Sequence, residues 1–129
     1  LYIIGMMNTA DRSLAMIDYA LRRRFAFFEM EPAFESDGFK AAMRLVNYPK
    51  YTKLVECIRE LNKEIEQDEA LGKGFKIGHS YLCTDKMVDD TWLKLVVEYE
   101  IIPLIEEYWF DEPRNIDTWS KRLRDVLND

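Results

Sequence analysis

At 129 residues, 48% hydrophobic and 13% aromatic, the chain has the apolar content to bury one core, which excludes a disordered or fibrous protein. A net charge of −6 excludes a surface that wraps nucleic acid, because phosphate binding needs clustered lysine and arginine; no direct DNA binding is expected of this chain. No apolar run approaches the roughly 20 residues of a membrane span, and no charged-then-apolar leader opens the sequence, so it reads as cytoplasmic with no membrane contact. Cys57 and Cys83 are isolated and lack the spacing of a zinc site or a disulfide framework, so both read as reduced packing residues, and no metal ligands are assigned.

In chain order, LYIIGMMN (residues 1–8) is apolar throughout, the pattern of a strand inside a parallel sheet covered by helices. One such strand cannot satisfy its own hydrogen-bond ladder, so the chain reads as a piece of a longer protein that holds the remaining strands. A polar tip, Asn8-Thr9-Ala10-Asp11, follows. Asp11 or Ser13 can cap a helix whose Leu14, Ile17, Leu21 and Phe25 recur at spacings of three and four, and which closes on Arg22, Arg23 and Arg24. FAFFEMEP then has aromatic, strand-like character that Pro32 terminates. Residues 1–32 therefore predict strand, helix, strand, the crossover unit of an α/β domain.

Residues 33–129 predict a helical subdomain, so the fold class is mainly α with a small α/β remnant. A helix is expected near residues 36–46, and a long one in YTKLVECIRELNKEIEQDEAL, where Leu54, Ile58, Leu61 and Ile65 form one stripe. The GKGFKIGHSYLC run from Gly72 carries three of the five glycines and breaks the helical period, which predicts a loop or short hairpin. DDTWLKLVVEYEIIPLIEEYWF resumes the period with Trp92, Leu95, Val96 and Tyr99, and Pro103 either kinks that helix or opens a second one. Tyr108, Trp109 and Phe110 read as core. A last helix, about 116–127, aligns Ile116, Trp119, Leu123 and Val126. The stretch from Asp89 to Glu112 sets eight carboxylates against Lys94 alone, by default a solvated helical face.

The chemistry-bearing residues fall in two places. Asn8 stands at the C-terminal tip of the expected strand, where α/β sheets place ligand-binding groups, and its amide both donates and accepts, which fits sensing of an attacking water or a terminal phosphate. Asp11 would repel a phosphate directly, so it supports the tip from behind or caps the helix. For the arginines the plain explanation is a helix C-terminus, whose dipole and free carbonyls favour cations, but one would satisfy that. Three consecutive side chains fan around the axis, so at least one faces outward. The only histidine, His79, precedes Ser80. Adjacent residues rarely orient as base and nucleophile, and no oxyanion loop is recognisable, which leaves a histidine satisfied by a backbone group or a loop that meets a ligand.

The run MNTADRSLAMIDYALRRRFAFFEMEP is similar to the second half of the AAA+ nucleotide-hydrolysing domain of McrB-type proteins, the motor subunits of modification-dependent restriction systems. GFKIGHSYLC and YEIIPLIEEYW resemble the C-terminal lid of that family. The resemblance implies a sensor strand ending at Asn8, a nucleotide-side tip at Thr9 and Asp11, and an arginine finger, Arg23 or Arg24 in preference to Arg22, serving the neighbouring subunit of a hexameric ring. It implies that His79, Ser80 and Tyr81 face the nucleotide from the lid, that GTP or ATP with Mg2+ binds the intact protein, and that a nuclease subunit is the partner. The Gly-rich and acidic phosphate-site motifs of that family are not in this sequence, so the piece alone is expected to be inactive. A different class of reading is a helical protein-interaction module in which the arginines only cap a helix.

Overall fold

A computed structural model describes residues 1–8, 10 and 19–129. Among the described residues the secondary structure is entirely helical. LYIIGMMN and FAFFEMEP, expected as strands, form no regular structure. Leu1, Tyr2, Ile4 and Phe28 are at least nine-tenths exposed. The reason is physical: a strand exists only through a neighbour's N–H and C=O groups, and these segments find no such ladder among the described residues. Of the arginine-bearing helix, α1 is described as Tyr19–Arg22; Leu14, Ile17 and the caps Asp11 and Ser13 lie outside the described residues, while Phe25 lies beyond the helix and is exposed.

Burial begins at Phe34. Helix α2 (Asp37–Val46) starts where Ser36 Oγ accepts from Phe39 N–H at 3.2 Å, and ends at Asn47, whose left-handed φ of 44° an asparagine tolerates. Helix α3 (Pro49–Gln67) opens with proline at its first position, where the missing N–H costs nothing. Leu54, Ile58, Leu61 and Ile65 are completely buried, as the stripe predicts. The chain leaves α3 through Asp68, whose Oδ1 accepts from Ala70 N–H while its Oδ2 accepts from Trp109 Nε1 at 2.8 Å, and turns at Gly72, where φ is 79°.

The glycine-bearing run forms no hairpin; it makes two 3-10 turns, Lys73–Phe75 and His79–Leu82. Helix α4 (Asp90–Val96) is capped by Asp89, which accepts from Trp92 N–H at 2.8 Å. A π turn (Val97–Ile101) joins it to α5 (Ile102–Tyr108), which has Pro103 in its first turn, so of the two expectations the second holds: the proline opens a further helix, one continuous with the π turn before it.

The expected stripe is borne out at buried Val96 and half-buried Trp92 but not at its other two residues. Leu95 and Tyr99 are exposed, and the fully buried residues are Leu93, Val97, Ile101 and Ile105, every fourth position. In an uninterrupted α-helix a four-residue row drifts about 40° per step. The wider turn absorbs that drift and keeps the row on the core.

Helix α6 (Pro113–Asn128), begun earlier than expected by Pro113, packs against α3, α4 and α5 through Trp119 and Leu123. Trp109 is buried and Tyr108 half-buried, but Phe110 is exposed. Cys57 is a buried free thiol, whereas Cys83, also expected to pack, is exposed. No described helix is long and apolar enough to cross a membrane.

Candidate functional site

The loop that carries His79, Ser80 and Tyr81 is held by α3. Asn62, on the buried side of that helix, grips Ile77 at both ends of its amide: Oδ1 accepts from Ile77 N–H at 2.6 Å and Nδ2 donates to Ile77 C=O at 2.9 Å. Five residues on, Tyr51 Oη donates to Leu82 C=O at 2.9 Å. Burial pushes the Tyr51 hydroxyl up to about 12, so it stays a donor across the physiological range. Between these anchors Gly78 leads into the 3-10 turn, which places His79, Ser80 and Tyr81 on consecutive positions, with Ser80 exposed and its neighbours half-buried.

His79 is engaged on one side. Its Nδ1 accepts from Ala33 N–H at 3.0 Å, and Phe34 and Phe39 meet its ring edge-on with centroids 6.2 and 5.8 Å away. This is the backbone-satisfied arrangement, one of the two readings the sequence leaves open. A ring that accepts at Nδ1 carries its N–H at Nε2, so His79 presents a donor on its other edge.

Two ion pairs join the same loop to the segment that precedes Phe34. Lys73 Nζ lies 2.8 Å from Glu29 Oε2, and Lys76 Nζ lies 2.8 Å from Glu31 Oε2 and 3.3 Å from Glu66 Oε2. Burial alone would pull the Lys76 ammonium down, but its hydrogen bonds to Glu31 and Glu66 more than offset this and raise it. The Lys76 hydrogen bond in turn holds Glu31 below the ordinary carboxylate range.

At the other end of the chain, Asn8 Oδ1 accepts from Ala10 N–H at 3.0 Å, an Asx turn that leaves Nδ2 as a donor. Thr9 and Asp11 lie outside the described residues. Arg22 is the last residue of α1, and Arg23 and Arg24 follow it in an exposed turn. The hydrogen bonds and ion pairs of the described residues connect neither Asn8 nor Arg24 to the 79–81 turn; the link between the N-terminal segment and the loop runs through Glu29, Glu31 and Ala33. Among the described residues no group of three or more His, Cys, Asp or Glu side chains is placed to hold a metal ion.

Reasoning from sequence missed Asn62, Lys73 and Lys76. Asn62 had a signal, since it falls four residues after Ile58 and so on the apolar stripe, where an amide needs a buried partner. The lysines had none, because their partners lie 44 and 45 residues away.

Residues 53–117 match the family described as McrB, alpha-helical lid domain. The chain is also 48% identical over 131 residues to the Type IV methyl-directed restriction enzyme EcoKMcrB subunit of Escherichia coli (strain K12). That alignment takes in 95% of this chain, which spans 28% of the length of the curated relative.

Proposed function

This chain belongs to the McrB alpha-helical lid family, and from that premise we propose that it is the sensor, arginine-bearing and lid portion of an AAA+ nucleoside-triphosphate hydrolase driving a restriction complex on modified DNA. The match of residues 53–117 to the lid carries the reading, with MNTADRS and then Arg22–Arg24 preceding it in the sequence.

In this reading residues 1–32 complete the α/β core of the intact subunit and 33–129 form its lid. GTP is the favoured nucleotide, with ATP as the alternative used by related ring hydrolases. Mg2+ bound with the triphosphate would supply positive charge to the transferred phosphoryl group. The chain's own donors suit a nucleotide. The Asx turn holds Asn8 Oδ1 and leaves Nδ2–H for the terminal phosphate or for the oxygen of the attacking water. Thr9, next in sequence, is assigned a nucleotide-contacting hydroxyl, and Asp11 a supporting or helix-capping role. From the lid, His79 Nε2–H, the exposed Ser80 hydroxyl and Tyr81 supply hydrogen bonds and a ring surface on a turn that Asn62 and Tyr51 hold still.

Arg23 or Arg24 reaches into the neighbouring subunit's site, and a finger of this kind accelerates hydrolysis by roughly 10³ or more. The parent works in the cytoplasm as a hexameric ring with a nuclease subunit, and target recognition lies outside this chain. Calorimetry with GTP and ATP tests the division of labour: the 129-residue chain alone shows binding no tighter than about 1 mM and no hydrolysis. Micromolar affinity would contradict it.

A further inference from the structure

We propose that Lys73, Lys76 and His79 are positioning residues that fix the angle at which the segment carrying Arg22–Arg24 leaves the helical subdomain. Three contacts of different chemistry fall in one register. Glu29, Glu31 and Ala33, each two residues apart, meet Lys73, Lys76 and His79, each three apart. The spacing of two is that of one face of a non-helical chain, and on the loop opposite Lys73 and His79 begin the two 3-10 turns with Lys76 in the extended stretch between them. The loop side is itself rigid, because Asn62 pins Ile77 between Lys76 and His79, and Lys76 is tied back to Glu66 of α3.

Apolar packing does not do this job. Phe25, Phe27, Phe28 and Met30 are all exposed, by 44 to 90%, and the first core residue is Phe34. Among the described residues, the contacts that tie residues 29–33 to the loop are polar, so removing them frees the segment without opening the core.

The test places spin labels at Phe28→Cys and Glu64→Cys, both exposed positions, in a Cys83→Ser background; buried Cys57, its thiol raised by burial, does not label. The inter-label distance distribution is narrow in this parent and broadens roughly twofold or more in Lys73→Met/Lys76→Met and in His79→Phe, with unchanged helix content. Glu29→Lys combined with Lys73→Glu restores the narrow distribution that Lys73→Glu alone loses. Unchanged widths in the charge-removed and histidine variants would overturn the proposal, as would failure of the exchanged pair to recover.

The consequence for catalysis rests on the function proposed above and is read separately in the full-length protein, where Lys73→Met/Lys76→Met lowers turnover about tenfold with nucleotide affinity little changed. Broadened distances with unchanged turnover would defeat the arginine-finger reading and leave the clasp standing.

Discussion

Replacing Asn62 is the most demanding test of how the loop is held. Asn62→Ala removes both hydrogen bonds to Ile77, a residue only 1% exposed, and leaves a buried N–H and a buried C=O without partners. An unpaired buried polar group costs about 1–3 kcal/mol, so the pair predicts a loss of about 2–6 kcal/mol, the lower figure if a water enters the vacated volume. For a domain of this size that lowers Tm on the order of 15 °C. Urea unfolding followed by circular dichroism reads it as a lower midpoint at unchanged slope. Asn62→Asp separates the two bonds. Its carboxylate still accepts from Ile77 N–H but sets an acceptor against Ile77 C=O, whereas the protonated acid donates to it. Burial raises that folded-state pKa above the unfolded value, so this variant's stability is present at low pH and lost as pH rises through the raised value. A loss below about 1 kcal/mol for Asn62→Ala, or a pH-independent Asn62→Asp, would refute the amide clamp.

The parent protein has the opposite acid response. Hydrogen bonds from Lys76 to Glu31, from Trp109 to Asp68 and from Arg124 to Glu98 hold these carboxyls below their ordinary values. Their contribution is present above the unfolded-state carboxylate range and lost as pH falls through the lowered values. Urea midpoints should therefore drop in acid, less steeply in Asp68→Asn; a flat profile would contradict these pairings. In the full-length protein the proposed sensor role of Asn8 predicts that Asn8→Ala cuts hydrolysis by about tenfold or more with nucleotide affinity within a few-fold. Parallel loss of binding and turnover would make Asn8 a structural residue.

Local signals told most of the helical fold. The four-residue stripe Leu54, Ile58, Leu61, Ile65 fixes the buried face of α3, whereas its start at Pro49, two residues before the expected Tyr51, and the caps Ser36 and Asp89 of α2 and α4 emerge from the structure. What escaped depended on geometry that sequence spacing does not encode. The expected stripe puts Leu95 and Tyr99 inward, but the buried row runs through Leu93, Val97, Ile101 and Ile105 across a π turn and leaves both at solvent. Apolar runs at 1–8 and 25–31 have the composition of strands, but pairing is a relation between segments, and none is present among the described residues. The site was legible at His79 as a choice between a backbone-bonded ring and a ligand contact; Ala33 N–H takes Nδ1, and Nε2 remains for the second. Glu29–Lys73 and Glu31–Lys76 were not legible, because nothing local ties partners so far apart along the chain.

The central claim, that this chain supplies a sensor in cis and an arginine to its neighbour, is tested most directly by mixed rings. Were the helix continuous from Asp11 to Arg23, about twelve residues at 1.5 Å each would put the two groups roughly 18 Å apart, too far to share one terminal phosphate. Full-length Asn8→Ala and Arg23→Ala/Arg24→Ala proteins are each expected to be nearly inactive. Co-assembled, they form some interfaces with an intact Asn8 on one side and intact arginines on the other. Hydrolysis by the mixture should rise above both separate preparations; an unchanged rate, with mixed assembly verified, would contradict the account.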